Sequence, residues 1–277
     1  MSGTLYLCAT PIGNLSDMSA RLINTLSDVD IIAAEDTRRT VKLLNHLGIK
    51  KPQISYYEHN IHEKGIQIIN MLKEGKNVAL VSDAGTPAIS DPGGDLVRLC
   101  AEENITVVPV PGPVAAINAL IVSALPTGRF SFEGFLPMNK NGRAERLEEI
   151  RSDKKTLIFY EAPHKLRRTL ADLLLYLGNR RITLCRELTK VHEEIIRTTL
   201  EEAQTLYSDE HPPKGEFVLV VAPQEETESD NFWQTLSVEE HVEYYKSQGA
   251  DEKEAMKMAA KDRKISKRDI YEVLKKR

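Results

Sequence analysis

The sequence predicts an α/β protein that consists of two α/β domains followed by a small helical domain. Three observations predict this organisation. The first half of the chain alternates short apolar runs with amphipathic stretches, and this alternation stops near residue 127 and then begins again. After an acidic stretch at 224–230, only helical signals follow. We therefore expect domains at 1–126, 127–224 and 225–277.

The first domain is expected to contain a parallel sheet. Its apolar runs are short and bounded by turn residues, and helical stretches separate them, two of which end at Gly48 and Gly75. The predicted strands are 4–9, 30–34, 54–57, 77–82 and 106–109. Such an alternation is typical of an open, largely parallel sheet that is covered by helices on both faces.

The second domain repeats the α/β pattern more sparsely. Strands are predicted at 156–160, 182–185 and 217–222, with a helix at 165–177. The stretch 139–146 contains glycine and arginine and is expected to be flexible.

The third domain shows three short helical signals. Ser237 and Glu240 have the spacing of a capping box, Asp251 can begin the next helix, and Ser266 with Asp269 forms a similar start. Three short helices of this kind predict a small unit that resembles a helix-turn-helix.

Composition is that of an ordinary globular protein, with 41% hydrophobic and 28% charged residues. Apolar runs such as 78–81 are far shorter than the ~20 residues of a membrane span, and the N-terminus lacks a signal-peptide pattern. We therefore expect a cytoplasmic protein without membrane contact. Cys8, Cys100 and Cys185 are widely spaced in apolar segments, which predicts buried thiols and no zinc site. The scattered histidines likewise indicate no metal centre.

Charge is unevenly distributed along the chain. The stretch 253–277 holds ten Lys or Arg and four Asp or Glu, a local balance of +6 against a total of −4, which leaves −10 for the remainder. A basic tail on an acidic body is compatible with a nucleic-acid partner that binds the tail. The alternative is a charged, solvated terminal helix.

Three unusual loops directly follow predicted strands, at 10–14, 82–94 and 111–113. Because the carboxyl ends of parallel strands share one edge of the sheet, we expect these loops to converge on a ligand-binding crevice. Their glycines allow close approach of the backbone to a ligand. None of the loops contains a P-loop or a GxGxxG pattern. Spacing alone therefore predicts a small polar ligand at the sheet edge, without identifying it.

Eight motifs carry a more specific resemblance. They are ATPIGNL (9–15), AEDTR (34–38), LVSDAGTPAISDPG (80–93), VPGP (110–113), FEGFLP (132–137), FYEAPH (159–164), RELTK (186–190) and KGE (214–216). Together they resemble the tetrapyrrole methylase-type methyltransferases, and within them the small-subunit ribosomal RNA methyltransferase I branch. The resemblance covers about 5–222, and the basic tail is also similar.

This resemblance implies a homodimer that holds S-adenosylmethionine in the cleft between two α/β domains. It also implies methyl transfer to the ribose 2′-hydroxyl of a cytidine in the decoding region of small-subunit ribosomal RNA. The positions that match cofactor contacts of the family are Pro11, Asp83, Ala84, Gly85, Ala88, Val114, Ala115, Glu161 and Leu188. Methyl transfer from a sulfonium requires no metal.

Transfer to a ribose hydroxyl needs in-line placement and a group that handles the hydroxyl proton. Candidate proton acceptors or hydroxyl-orienting groups are His164, Glu187 and Lys190. Lys190 would need a depressed pKa to act as a base. The alternatives are a surface histidine at a helix start for His164, and a salt bridge at a strand end for Glu187 and Lys190.

Contacts to RNA are expected from cations and stackable rings near the cleft and in the tail. The candidates are Arg38, Arg39, His59, Arg143, Arg186, Lys264, Lys267 and Arg268. Two other functions fit the same sequence: a methylase of a tetrapyrrole-like small molecule, and a ligand-sensing RNA-binding protein without catalysis. The small-molecule enzyme has no evident need for a basic tail.

Overall fold

The computed structural model describes residues 2–224, 233–263 and 265–275. The chain divides into two compact units, Met1–Gln224 and Glu225–Arg277. Among the described residues, the first unit contains two five-stranded sheets with their helices, and the second contains three α-helices. The predicted fold class is thereby confirmed.

The first sheet is parallel throughout, in the order β3-β2-β4-β1-β5. Its strands are β1 (Thr4–Cys8), β2 (Ile31–Ala34), β3 (Gln53–Ser55), β4 (Val78–Val81) and β5 (Thr106–Val110). Its helices are α1 (Ala20–Asp28), α2 (Thr37–His46), α3 (Ile61–Lys73), α4 (Gly94–Glu102) and α5 (Ala115–Val122). Each strand predicted for this region is present.

Helices cover both faces of this sheet, as the apolar runs predict. In β4, Val78 and Leu80 belong to the core on one face, while Ala79 and Val81 belong to the core on the other. Because successive side chains of a strand point to opposite faces, a run of four apolar residues is what a doubly covered strand requires.

The second sheet is mixed, in the order β6-β7-β10-β8-β9. Its strands are β6 (Phe130–Gly134), β7 (Thr156–Glu161), β8 (Arg181–Arg186), β9 (Glu194–Thr199) and β10 (Phe217–Val221). Its helices are α6 (Lys140–Glu149), α7 (Pro163–Leu177) and α8 (Leu200–Thr205). The pair β6 and β7 is parallel and the other pairs are antiparallel. The three strands predicted here are present, whereas β6 and β9 were not predicted.

The predicted flexibility of 139–146 is wrong, because this stretch begins α6. The Asn139 side chain accepts a hydrogen bond from the Gly142 amide and caps the helix. The Arg146 guanidinium binds Glu133 and Glu149. These contacts order the stretch.

The second unit is a three-helix cluster, as predicted. Its helices are α9 (Val238–Ser247), α10 (Glu252–Asp262) and α11 (Lys267–Lys275). Ser237 and Glu240 form the expected capping box. Val242, Ala259 and Ile270, one from each helix, meet in the core of this unit.

All three cysteines are buried free thiols, as predicted. Within the described ranges, no helix has both the length and the apolarity to span a membrane. The same part of the chain holds no cluster of His, Cys, Asp or Glu side chains that could share a metal ion.

Candidate active site

The three loops that follow β1, β4 and β5 converge, as predicted. The Thr10 amide donates to the Gly85 carbonyl at 2.8 Å, and the Gly85 amide donates to the Thr10 carbonyl at 3.1 Å. The Thr86 hydroxyl donates to the carbonyl of Pro113 at 3.1 Å. These bonds tie the second loop to both of the others at one edge of the first sheet.

A cavity of about 460 Å³ lies between this edge and the second sheet. The first sheet contributes Ile12 and the segments around Gly85 and Val114, and the second contributes the ends of β7 and β8. Gly85 has φ 82°, and a Cβ there would lie 3.2 Å from Cγ2 of Ile12. The backbone of the loop therefore forms this wall, and a larger residue would both strain and fill it.

Strained backbone is concentrated in the loops of the cavity. Among the residues that the structure describes, six other than glycine have positive φ, and four of them lie in the loops after β4 and β8. These four are Ala88 (67°), Ser90 (62°), Glu187 (51°) and Thr189 (67°). Such conformations cost on the order of 1–3 kcal/mol each and cluster at functional sites.

Glu161 lies at the end of β7, directly before α7, and is only 4% exposed. Its carboxylate accepts hydrogen bonds from the Ala162 amide at 2.8 Å and from the Thr169 hydroxyl. The Arg143 guanidinium donates to Thr169 Oγ1 at 2.7 Å and to Asp172 at 2.6 Å. A chain of polar contacts therefore fixes Glu161 in the wall of the cavity.

Lys190 joins two carboxylates at the opposite side of this wall. Its Nζ lies 2.8 Å from Oε1 of Glu187 and 2.9 Å from Oε2 of Glu216. Burial lowers the pKa of Lys190, but the two carboxylates outweigh burial and raise it. The hydrogen bond from Lys190 lowers the pKa of Glu187. A lysine base needs the opposite shift, so the raised pKa of Lys190 argues against a role as proton acceptor.

Asp91 also lines the cavity, although it was not among the site residues predicted from the sequence. Burial of the carboxyl group and then the negative charge of Glu35 raise the pKa of Asp91 to about 6. The hydrogen bond with Ser82 opposes this rise in pKa, and the negative charge of Asp83 adds to it. A group that titrates this close to neutrality is suited to accept a proton. The signal in the sequence was a carboxylate inside the long 80–93 motif, but its burial cannot be read from that motif.

The predicted catalytic residues all line this cavity: His164, Glu187 and Lys190. So do six of the nine predicted cofactor contacts, which are Ala84, Gly85, Val114, Ala115, Glu161 and Leu188.

The other three predicted cofactor contacts, Pro11, Asp83 and Ala88, do not line the cavity. The Asp83 carboxylate instead accepts the Asp36 amide at 3.0 Å and pairs with Arg39 at 3.2 Å, which fixes the loop against the start of α2.

One predicted RNA contact must be corrected. Arg143 is 6% exposed, and its guanidinium is used by Thr169 and Asp172, so it cannot reach an RNA at the surface. Lys264 lies outside the described residues.

The remaining predicted RNA contacts are more accessible. Arg38, Arg39, His59 and Arg268 are exposed, although Arg38 pairs with Asp36 and Arg268 with Glu272. Arg186 is partly buried and pairs with Glu194 at 2.9 Å, and Lys267 begins α11.

Comparison with known proteins decides the family. The family model described as tetrapyrrole (corrin/porphyrin) methylases matches residues 4–204. The chain belongs to this family. A protein of Halalkalibacterium halodurans named ribosomal RNA small subunit methyltransferase I is 54% identical over 98% of this chain and 94% of its own length. The Bacillus subtilis protein of the same name is 49% identical over 98% of this chain and 93% of its own length.

Solved structures share the fold at low identity. A uroporphyrin-III C-methyltransferase from Thermus thermophilus, in complex with S-adenosylhomocysteine, matches with a TM-score of 0.54 at 18% identity and covers 79% of this chain and 97% of that chain. A diphthine synthase matches with a TM-score of 0.62 at 12% identity, and the match covers 79% of this chain and 90% of that chain. At this level of identity the two structures establish the fold alone.

Proposed function

We propose that this methylase transfers the methyl group of S-adenosylmethionine to small-subunit ribosomal RNA, at the ribose 2′-hydroxyl of a cytidine in the decoding region. The observation that carries the choice of RNA is the 54% identity, over nearly the whole chain, with a relative whose name states that substrate class. The ribose position and the cytidine follow from the resemblance of the motifs.

The cavity fits the proposed methyl donor. A volume of about 460 Å³ is typical of a small-molecule site. Ile12, Val114 and Leu188 supply apolar surface for a flat ring, and the loop backbone at Gly85 allows close contact. Carboxylates such as Asp91 and Glu161 suit a cationic ligand. S-adenosylmethionine supplies an activated methyl group on a sulfonium, which is a good leaving group.

The proposed mechanism assigns proton transfer to Asp91. Its carboxylate is largely ionised above pH 6 and accepts the proton of the attacking 2′-hydroxyl as that oxygen forms its bond to carbon. The Lys190 ammonium orients the hydroxyl, and Glu187 and Glu216 hold the ammonium in place. His164 lies at the start of α7, where it is exposed and can orient the ribose. Positioning supplies the rest of the acceleration.

One experiment tests the substrate. Labelled S-adenosylmethionine is supplied in parallel to purified small ribosomal subunits, naked ribosomal RNA and a tetrapyrrole precursor, and the RNA is digested to nucleosides. We expect label in 2′-O-methylcytidine. Label in the tetrapyrrole alone would contradict an RNA substrate, and label on a base would contradict the chemistry. Binding of RNA without transfer would favour a sensor.

We also propose that 1–126 and 127–224 form the two domains of the cleft, that 225–277 forms a basic helical domain, and that the protein is a cytoplasmic homodimer. Ile117 and Ile121, one turn apart on α5, are 41% and 65% exposed and offer an apolar surface to a second copy. A ribosomal substrate would place the protein in the cytoplasm. Light scattering of the purified protein tests the dimer, and a monomeric mass at micromolar concentration would contradict it.

A further inference from the structure

A second cavity adjoins the first. It has a volume of about 350 Å³ and lies between the start of α7 and the segment that connects α8 to β10. Its lining residues are Pro163, His164, Arg167, Ser208, Asp209, Pro212 and Pro213. Pro163 and His164 also line the larger cavity, so the two cavities share one wall.

The outer side of the second cavity is fixed by local structure. The Ser208 amide donates to the His211 carbonyl at 3.2 Å, and the His211 amide donates back to the Ser208 hydroxyl at 3.1 Å. Pro212 and Pro213 follow this closed turn, and their rings restrict the backbone. These contacts therefore restrict the course of the backbone on this side of the cavity.

Its polar groups suit a phosphodiester. Arg167 presents a planar guanidinium that pairs with Asp209, and these two side chains are 49% and 94% exposed. An ion pair this exposed contributes little stability, so a phosphate can displace the Asp209 carboxylate from Arg167. Guanidinium binds phosphate with two parallel hydrogen bonds. The His164 ring and the proline rings add flat surfaces on which part of a nucleotide can pack.

We infer that the second cavity binds the nucleotide next to the methylated one, with Arg167 on its phosphate. The inference rests on the proposed RNA substrate. If the acceptor ribose lies in the larger cavity, the RNA strand must leave it. Only the wall formed by Pro163 and His164 separates that cavity from the neighbouring one, which holds Arg167. A small-molecule acceptor would end within the larger cavity. Because His164 lines both cavities, it contacts the RNA strand on each side of the shared wall.

The test compares Arg167→Gln with Asp209→Asn and with the matched control Arg168→Gln. Arg168 lies next in α7, is 60% exposed, faces Asp172 and does not line the cavity. We measure KM for ribosomal RNA at several salt concentrations and, separately, the dissociation constant of S-adenosylmethionine. We expect Arg167→Gln to raise KM about ten-fold. We also expect it to reduce by about 1 the slope of log KM against log salt concentration, called the salt slope below. Asp209→Asn is expected to lower KM about two-fold because it releases Arg167. Affinity for the methyl donor stays unchanged.

The opposite signs separate a binding role from a structural one. If Arg167→Gln and Asp209→Asn raise KM alike, the pair merely holds the segment, and the inference is wrong. The inference is also wrong if Arg167→Gln and Arg168→Gln change KM and the salt slope to the same extent. If the wild-type protein binds S-adenosylmethionine but labels no RNA, the proposed function itself fails, and the subsite fails with it.

Discussion

The two walls of the larger cavity are built in different ways. In the wall from the first sheet, the loop backbone at Gly85 lies beside the apolar side chains of Ile12 and Val114, and the reciprocal bonds between Thr10 and Gly85 hold the loops together. The wall from the second sheet includes charged side chains, such as Glu161 and Lys190, which side-chain hydrogen bonds to Thr169 and Glu216 hold in place. A backbone surface recognises shape and is suited to retain a ligand, whereas fixed charges are suited to orient a reacting group. Asp91 is the exception, because it brings an ionisable group to the backbone wall.

The largest effect is expected for Asp91→Asn, which tests that exception. Removal of the proton acceptor is expected to reduce kcat about 10²–10⁴-fold. In the wild-type protein kcat is expected to rise as the pH increases through about 6, because protonated Asp91 cannot accept a proton. This rising limb of the pH profile is expected to disappear in the variant. Steady-state rates between pH 5 and 9 provide the measurement.

The matched control for Asp91 is Asp95→Asn, an exposed carboxylate in the first turn of α4. It is expected to leave both kcat and the limb unchanged. An Asp91→Asn variant that keeps this pH dependence of kcat would assign it to a group other than Asp91. Loss of cofactor affinity with normal kcat would make Asp91 a binding residue.

The next effect concerns the backbone wall itself. Gly85→Ala places a Cβ at φ 82° and 3.2 Å from Ile12, and we expect the dissociation constant of S-adenosylmethionine to increase about 10–100-fold. Calorimetric titration gives the value. Gly94→Ala is the control, because a Cβ there meets nothing within 4 Å. Equal affinities for the two variants would show that the backbone of the loop does not contact the donor.

The charged wall is tested by Thr169→Val, which removes the hydroxyl between Arg143 and Glu161. The loss leaves buried polar groups without a partner, and we expect about 1–3 kcal/mol lower stability and a several-fold lower kcat. Chemical denaturation and steady-state kinetics measure the two effects. Ser27→Ala, on the exposed face of α1, is the control for stability. Unchanged kcat in a destabilised Thr169→Val variant would limit the network to a structural role.

Sequence alone predicted the backbone wall well and the charged wall poorly. Contiguous loops after apolar strands identified the position of Gly85, because parallel strands bring such loops to one edge. The environment of Arg143 depends instead on Asp172, 29 residues away, and the pKa of Asp91 depends on burial and then on Glu35. Neither partner is adjacent in the sequence, so Arg143 was taken for a surface cation and Asp91 was overlooked.

The two strands that were not predicted, β6 and β9, are the edge strands of the second sheet. β9 is an edge strand whose Glu194 and Arg197 are exposed, so its apolar pattern is weak. β6 is the other edge strand, and its first residue, Phe130, is 41% exposed. In the second sheet, the three central strands β7, β10 and β8 are more deeply buried and gave the stronger signals.

The smallest effect is expected in the second unit. Replacement of Lys267 and Arg268 by glutamine is expected to reduce the salt slope of RNA binding by about 2 and to leave kcat unchanged. Filter binding at several salt concentrations gives the slope. Lys246→Gln with Lys257→Gln removes the same charge from α9 and α10. If the two double variants behave alike, the tail acts only through its net charge.

The left-handed conformations of Ala88, Ser90, Glu187 and Thr189 have a consequence for the thermal behaviour of the protein. Glycine adopts positive φ without strain, so replacement of Ala88 or Ser90 by glycine is expected to relax the folded loop while it widens the range of shapes that the loop can adopt. Strain at an active site is a common reason why stability and turnover change in opposite directions. In this protein, the strain that holds the loops of the cavity in one shape is therefore expected also to lower their thermal stability.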